Sequence, residues 1–352
     1  MTAVIPSATR LDLADSTFEI NEYFYAQGWT DGLPVMPPTE EKVAEMAAGS
    51  SLPPDTVLGV MALANGTVTI EKLAANAVMA GCLPEYFPIV VTGMQAVLRV
   101  EFNIGGLATT TGGGAPGFIV SGRIADDLSA GGTGCFGPGY RANSAIGRAL
   151  RLAIRNLGGA HPGDMDKSTQ TWPGKLAFCF AENEARSPFE PLRVAEGFSA
   201  DTSTLTVLGL RGVHYINETA QETGRGNLET IAGSMRRMGI VNYMHQGHGS
   251  FIAIVLGPEH AKEIADDGYS RRDIQEFLFE YARMPMRDLR DRTYWNFRSW
   301  PEEYDIDDPD YLVPIVMDPE KFVVLVAGGD GRQSAWLSSW YQTKAVTLEI
   351  ER

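Results

Sequence analysis

Apolar positions along the chain follow two periods, and the alternation between them predicts the architecture. Ile70, Leu73, Ala74, Ala77 and Val78 recur every three or four residues, the mark of one buried helical face. Ile146, Leu150, Ala153, Ile154 and Leu157 repeat the pattern, as do Leu228, Ile231, Met235 and Met238. Between such stripes stand apolar runs of strand length at 117–122, 175–181, 204–210, 251–257 and 321–327, after an earlier strand at 56–63. Further helices are expected over 18–27, 40–48, 82–98, 258–267 and 271–283.

Helix boundaries carry their own chemistry. Thr39 and Thr69 stand where N-caps belong, and Ser270 with Asp273 spells a capping box. Pro258 occupies a favoured first helical position. Asn143 or Ser144 can cap the helix over 145–157, with Gly158 in the left-handed position past its end. Strands alternating with helices imply an α/β fold, with mixed sheets and helices on their faces. The expected organisation is an N-terminal arm over 1–30, a first lobe over 31–172 and a second over 173–352. The lobes join at Pro173-Gly174, around a glycine-rich cleft.

Glycine supplies that cleft. The segment 103–163 holds 16 of the 38 glycines of the chain, set among a strand, a cysteine and a helix rather than linker residues. Each costs about 0.5–1 kcal/mol inside regular structure, so such density implies close backbone approach or positive φ. Glycine-rich turns also expose N–H groups that form anion nests. At the centre is Gly134-Cys-Phe-Gly-Pro-Gly-Tyr-Arg-Ala-Asn143, leading into a helix N-terminus that favours negative charge. Gly134, Gly137, Gly139, Arg141 and Asn143 are therefore candidate groups for holding a carboxylate. The plain alternative is a rigid connection whose Arg141 pairs structurally.

Charge and composition narrow the partners. The 352 residues carry a formal charge of −15, which argues against nucleic acid and anionic membrane surfaces. No apolar run is long enough to span a bilayer, and the N-terminal residues show no leader, so a cytoplasmic protein is expected. Three cysteines, Cys82, Cys135 and Cys179, are too few for a disulfide framework and are expected as reduced thiols. Cys82 and Cys135 each precede a helix start, where a thiol can become a nucleophile; small core residues are the alternative. Cys179 reads as core.

Other candidates are looser. Glu182 and Glu184 follow a strand and are suited to acid and base work, or to pairing with Arg186. Asp166 and Lys167 lie in the loop after the 145–157 helix. His245 and His248 are spaced to share a metal, but no local third ligand completes a set, so no metal is expected and they stand as candidate substrate-binding or proton-carrying groups, or as structural residues. Gly329-x-Gly331-x-x-Ser334 follows a strand, but too little chain remains for a dinucleotide unit. No organic cofactor is expected, and Arg332 there becomes the charged partner of a second anion nest. The aromatics within 285–311 suggest a surface excursion or a contact between copies in a homo-oligomer.

Trp29-Thr-Asp-Gly-Leu-Pro, Ala80-Gly-Cys-Leu-Pro-Glu-Tyr86, the segment 135–143, Asp164-Met-Asp-Lys-Ser-Thr169, Ala181-Glu-Asn-Glu184 and Gly257-Pro-Glu-His-Ala-Lys-Glu-Ile-Ala265 together resemble an uncharacterised bacterial protein family. The resemblance carries no catalytic role. It implies at most an association with a small thiol- or selenol-containing partner protein. Taken together, the sequence points to an enzyme acting on a small carboxylate-bearing anion by lyase or hydrolase chemistry, with Cys135 or Cys82, Glu182 and Glu184 as catalytic candidates. Thiol redox chemistry through Cys82 and Cys135 is one alternative, and a non-catalytic assembly subunit another.

Overall fold

The computed structural model describes residues 8–128, 131–244, 250–292 and 300–351. It is an α/β protein whose main sheet is mixed, seven-stranded and curled into a half-barrel. The helices are α1 (Thr17–Ala26), α2 (Glu40–Ala47), α3 (Ile70–Ala80), α4 (Phe87–Val97), α5 (Ile104–Thr109), α6 (Arg123–Asp127), α7 (Arg141–Gly158), α8 (Leu192–Ala195), α9 (Gly224–Met235), α10 (Val241–Met244), α11 (Pro258–Asp266), α12 (Arg271–Tyr281) and α13 (Met286–Leu289). The strands are β1 (Val57–Val60), β2 (Thr67–Thr69), β3 (Ala115–Ser121), β4 (Cys179–Ala181), β5 (Thr204–Asn217), β6 (Ile252–Leu256), β7 (Arg283–Pro285), β8 (Leu312–Pro314), β9 (Phe322–Val326), β10 (Gln333–Ser339) and β11 (Val346–Glu349).

The order across the main sheet is β4-β3-β5-β10-β6-β9, with β11 also on β5. The β4–β3 and β6–β9 pairs are parallel, and the rest are antiparallel. Strand β3, from the segment expected as a first lobe, pairs with β4 and β5 from the second. The main sheet is thus built from both. The fourteen-residue β5 runs through it, pairing with β3 and β11 along its first half and with β10 along its second. At the far end of the curl, Asn183 N donates to Val326 O (2.8 Å), so the ends of edge strands β4 and β9 meet.

Alternation along the strands sorts side chains to two faces. Phe118, Val120, Cys179, Ala181, Leu205 and Val207 pack with α3, α4 and α7 in one core. Ile252, Ile254, Leu256, Phe322, Val324 and Trp336 pack with α9, α11 and α12 in a second. The intervening residues Ile119, Phe180, Leu208, Ala253, Val255 and Leu325 form a third cluster. That cluster joins residues from both edge strands, which places it inside the curl. A bulge in β5 opposite Ser338–Ser339 switches which parity faces the helices, so Leu208 and Leu210 point inward while Ile216 joins the second core.

Several boundaries differ from expectation. Helix α7 starts at Arg141 rather than at 145, with Tyr140 at its N-cap and no side-chain cap bond, and Gly159 takes the left-handed position. Strand β5 continues through residues 211–217, expected as a loop, because β10 pairs with them. Strand β4 keeps three residues, since Pro173–Lys175 forms a 3-10 turn. Among the described aromatics of 285–311, Trp300, Tyr304 and Tyr311 pack on the second core. No helix among the described residues is long and apolar enough to cross a membrane.

Candidate functional site

Helix α7 turns one apolar face to the sheet and carries arginines on a neighbouring stripe. Arg148, Arg151 and Arg155 are three and four residues apart, so their side chains lie side by side. Two of them hold the loop after α1, and the third holds the loop after α7. Arg148 holds Asp31 through two bonds (Nε–Oδ2 2.7 Å, Nη2–Oδ1 2.9 Å) and donates to Pro34 O. Arg155 Nε donates to Gly28 O, and Asn156 Nδ2 to Trp29 O. The proline-rich loop after α1 is thereby laid across α7. From the other side, Arg151 Nε donates to Lys175 O (2.9 Å), anchoring the long loop that follows the helix.

Between these walls lies a cavity of about 350 Å³, lined by Asp31, Arg151, Arg155, Asp166, Ser168, Trp172 and Lys175 among others. That size suits a small molecule. Asp166 and Lys175 are paired (2.6 Å), and Ser168 Oγ bonds both the Asp166 carboxylate (2.6 Å) and the Lys175 ammonium (2.7 Å). Burial opposes the Asp166 charge, but its bonds to Lys175 and Ser168 outweigh that and hold the carboxyl below its usual range. Burial pushes Lys175 down, with Arg151 acting in the same sense and Asp166 against it.

Arg151 is the unusual member. It is 9% exposed, its Nη1 is buried, and that nitrogen has no hydrogen-bond partner. Burial pushes its guanidinium down to about 10; Asp166 opposes the shift and Arg155 adds to it. Trp172, which also lines the cavity, has a buried Nε1 without a partner. Its ring lies flat on Gly174, where a Cβ would come within 1.9 Å of the indole. Two residues that line the cavity thus each carry a buried donor without an acceptor, in a fold that satisfies most such groups.

The glycine-rich segment forms a different feature. Gly134, Cys135 and Gly137 line a cleft of about 470 Å³ at the mouth of the curl, with Tyr215, Gly257, residues 328–331 and Ser334. Three of its polar side chains are already engaged. Asp330 pairs with Arg186, Gln333 with Asn217, and Ser334 Oγ meets His260 Nδ1 (2.8 Å) and Gly257 N (3.2 Å). Gly139 has a φ of 126° and lines neither space.

The remaining expected site residues are dispersed. Arg141 donates to Gly81 O (Nη2, 3.0 Å) on an exposed surface, not to the glycine-rich turn. Asn143 is buried and donates to Cys135 O (3.1 Å). Burial pushes the Cys135 thiol up to about 11 and Cys82 up to about 12, away from thiolate character at neutral pH. Cys82 packs in the first core, with Cys179 as its neighbour, and Cys135 inside the curl. Glu184 accepts from Gly122 N (2.6 Å) and pairs with Arg193 (2.7 Å). Glu182, 2% exposed, accepts from Ser121 Oγ (2.8 Å) and Leu192 N (3.0 Å), and burial pushes its carboxyl up to about 7. It lines neither the cavity nor the cleft.

Lys167 is exposed on Gly163 O, and Arg332 is bound to Glu263 (3.0 Å) rather than facing the cleft. His245 and His248 lie outside the described residues. Among the described residues, no three His, Cys, Asp or Glu side chains gather as a metal site. Of the expected set, only Asp166 faces the basic cavity. Its other members were missed, although three arginines at helical spacing were a readable signal.

No protein-family model, no curated protein and no solved structure matches the chain. The functional reading rests on the geometry.

Proposed function

We propose that the protein is an enzyme that binds a small carboxylate-bearing anion in the cavity beside α7 and acts on it by lyase- or hydrolase-type chemistry. One observation carries this reading: Arg151 is buried beside Arg155, and its Nη1 has no acceptor. A buried cation without full hydrogen bonding is expensive, and a guanidinium lowered from its usual range to about 10 corresponds to roughly 3 kcal/mol. A bound carboxylate would supply the missing acceptor, and charge-assisted bonds of that kind are among the strongest available. Trp172 Nε1 adds a second donor.

Lys175 is the proton-carrying group in this reading. It lines the cavity, and its ammonium is shifted down from the usual lysine range, the direction that suits general acid–base work. The test is calorimetric titration of wild type and Arg151→Met with short carboxylates. Wild type should bind and the variant should not. Without ligand the variant should melt at a higher temperature, because the uncompensated cation is gone. A variant that binds as well as wild type removes Arg151 from the site.

A further inference from the structure

The charge count in the cavity points to the class of ligand. Three cations line it, Arg151, Arg155 and Lys175, and a fourth, Arg148, holds the lining Asp31. Two carboxylates face them, Asp31 and Asp166, leaving an excess of two positive charges (four minus two). Hydrogen bonding says which two. Asp31 is committed to Arg148, and Asp166 to Lys175 and Ser168. Arg151 uses Nε on Lys175 O, and Arg155 uses Nε on Gly28 O, both neutral carbonyls. Neither guanidinium has a hydrogen-bonded carboxylate among the described residues.

We propose that the cavity takes a dianion, with one guanidinium for each of its two charges. This rests on the anion-binding reading above and narrows it. Residues four apart on a helix stand about 6 Å apart at Cβ, so the two charges of the ligand are close together. A short dicarboxylate meets that demand, as does a phosphate group. Trp172 lines the same space and its buried Nε1 has no partner, so it is a neutral donor at the wall that adds no charge. Ser168 is not a free nucleophile here, since its hydroxyl already donates to Asp166 and accepts from an ammonium.

The experiment compares three probes on the intact protein by calorimetry at mildly alkaline pH: succinate, butyrate and inorganic phosphate. Succinate and butyrate have the same carbon count and differ by one charge. At least one dianion should bind about tenfold or more tighter than butyrate. Succinate leading identifies a dicarboxylate ligand, and phosphate leading identifies a phosphorylated one. Arg155→Gln should lose that preference, and Arg155→Lys should restore most of it. Butyrate binding as tightly as both dianions overturns the dianion assignment and leaves the anion site standing. No binding of any probe to folded wild type overturns both. A preference unchanged in Arg155→Gln overturns the role given to Arg155.

Discussion

Two concave regions of this molecule invite the same reading, and they differ in what their polar groups lack. The cleft at the mouth of the curl is the larger, and the glycine-rich segments 133–137 and 328–331 line it. Its Asp330, Gln333 and Ser334 side chains already have partners within the protein. Two of its glycines answer to packing, since a Cβ on Gly257 would stand 2.1 Å from Gln333 O and one on Gly329 would stand 2.0 Å from Thr133 Oγ1, while Gly134, Gly328 and Gly331 answer to positive φ. The cavity beside α7 is smaller and holds an excess of buried positive charge with two orphaned donors. Glycine density marks where backbones approach closely. Unsatisfied charge beside a cavity is what the anion-binding proposal rests on.

The largest effect that could break this comparison is expected at Gly257. Its φ of −67° is open to any residue, so strain in the backbone plays no part. The obstacle is a carbonyl of the neighbouring strand, which cannot swing aside as a flexible side chain would. Gly257→Ala should cost about 3 kcal/mol or more in denaturant unfolding, while the molecules that remain folded keep their anion affinity. A stable variant that no longer binds anions would move the ligand site to the cleft.

Glu182 sharpens the comparison through pH. A buried carboxyl titrating near neutrality is a common sign of an acid–base catalyst, yet this one opens onto neither space. Its pKa is raised from 4.5 to about 7, chiefly by burial, so folding favours the protonated form. That contribution is fully present below about pH 4.5 and is lost as pH rises through about 7, a change of the order of 3 kcal/mol. The stability of wild type relative to Glu182→Gln should fall across that window and level off above it. Anion affinity should not follow the same titration. If it does, Glu182 belongs to the chemistry after all.

What the chain discloses in advance depends on the range of the interaction. Caps at Thr39, Thr69 and Ser270 were legible because a side chain meets a backbone N–H three residues on. Strand β10 was not, although it is central to the sheet. Its Ser334 and Ser339 look like surface residues, but they are buried and bonded to Gly257 N and His260, and to Asn242 and Phe251 N. The extension of β5 depends on β10 and was lost with it. The arginine stripe on α7 was visible as spacing. Its meaning required Asp31, 117 residues away from Arg148, and a loop at 160–176 with no periodicity to place it.

The smallest effect is expected at Arg141, and it tests the comparison from the other side. The sequence put this arginine at the glycine-rich turn as the holder of a carboxylate. The fold sends its guanidinium to Gly81 O on an exposed surface at the first turn of α7, where the helix dipole disfavours a cation. Losing a solvent-exposed hydrogen bond while removing that repulsion leaves little net change, within about 0.5 kcal/mol. Arg141→Ala should therefore match wild type in thermal midpoint and in anion affinity. A tenfold loss of affinity would mean that the helix start and the glycine-rich turn hold the ligand, and that the charge stored beside Arg151 serves the fold alone.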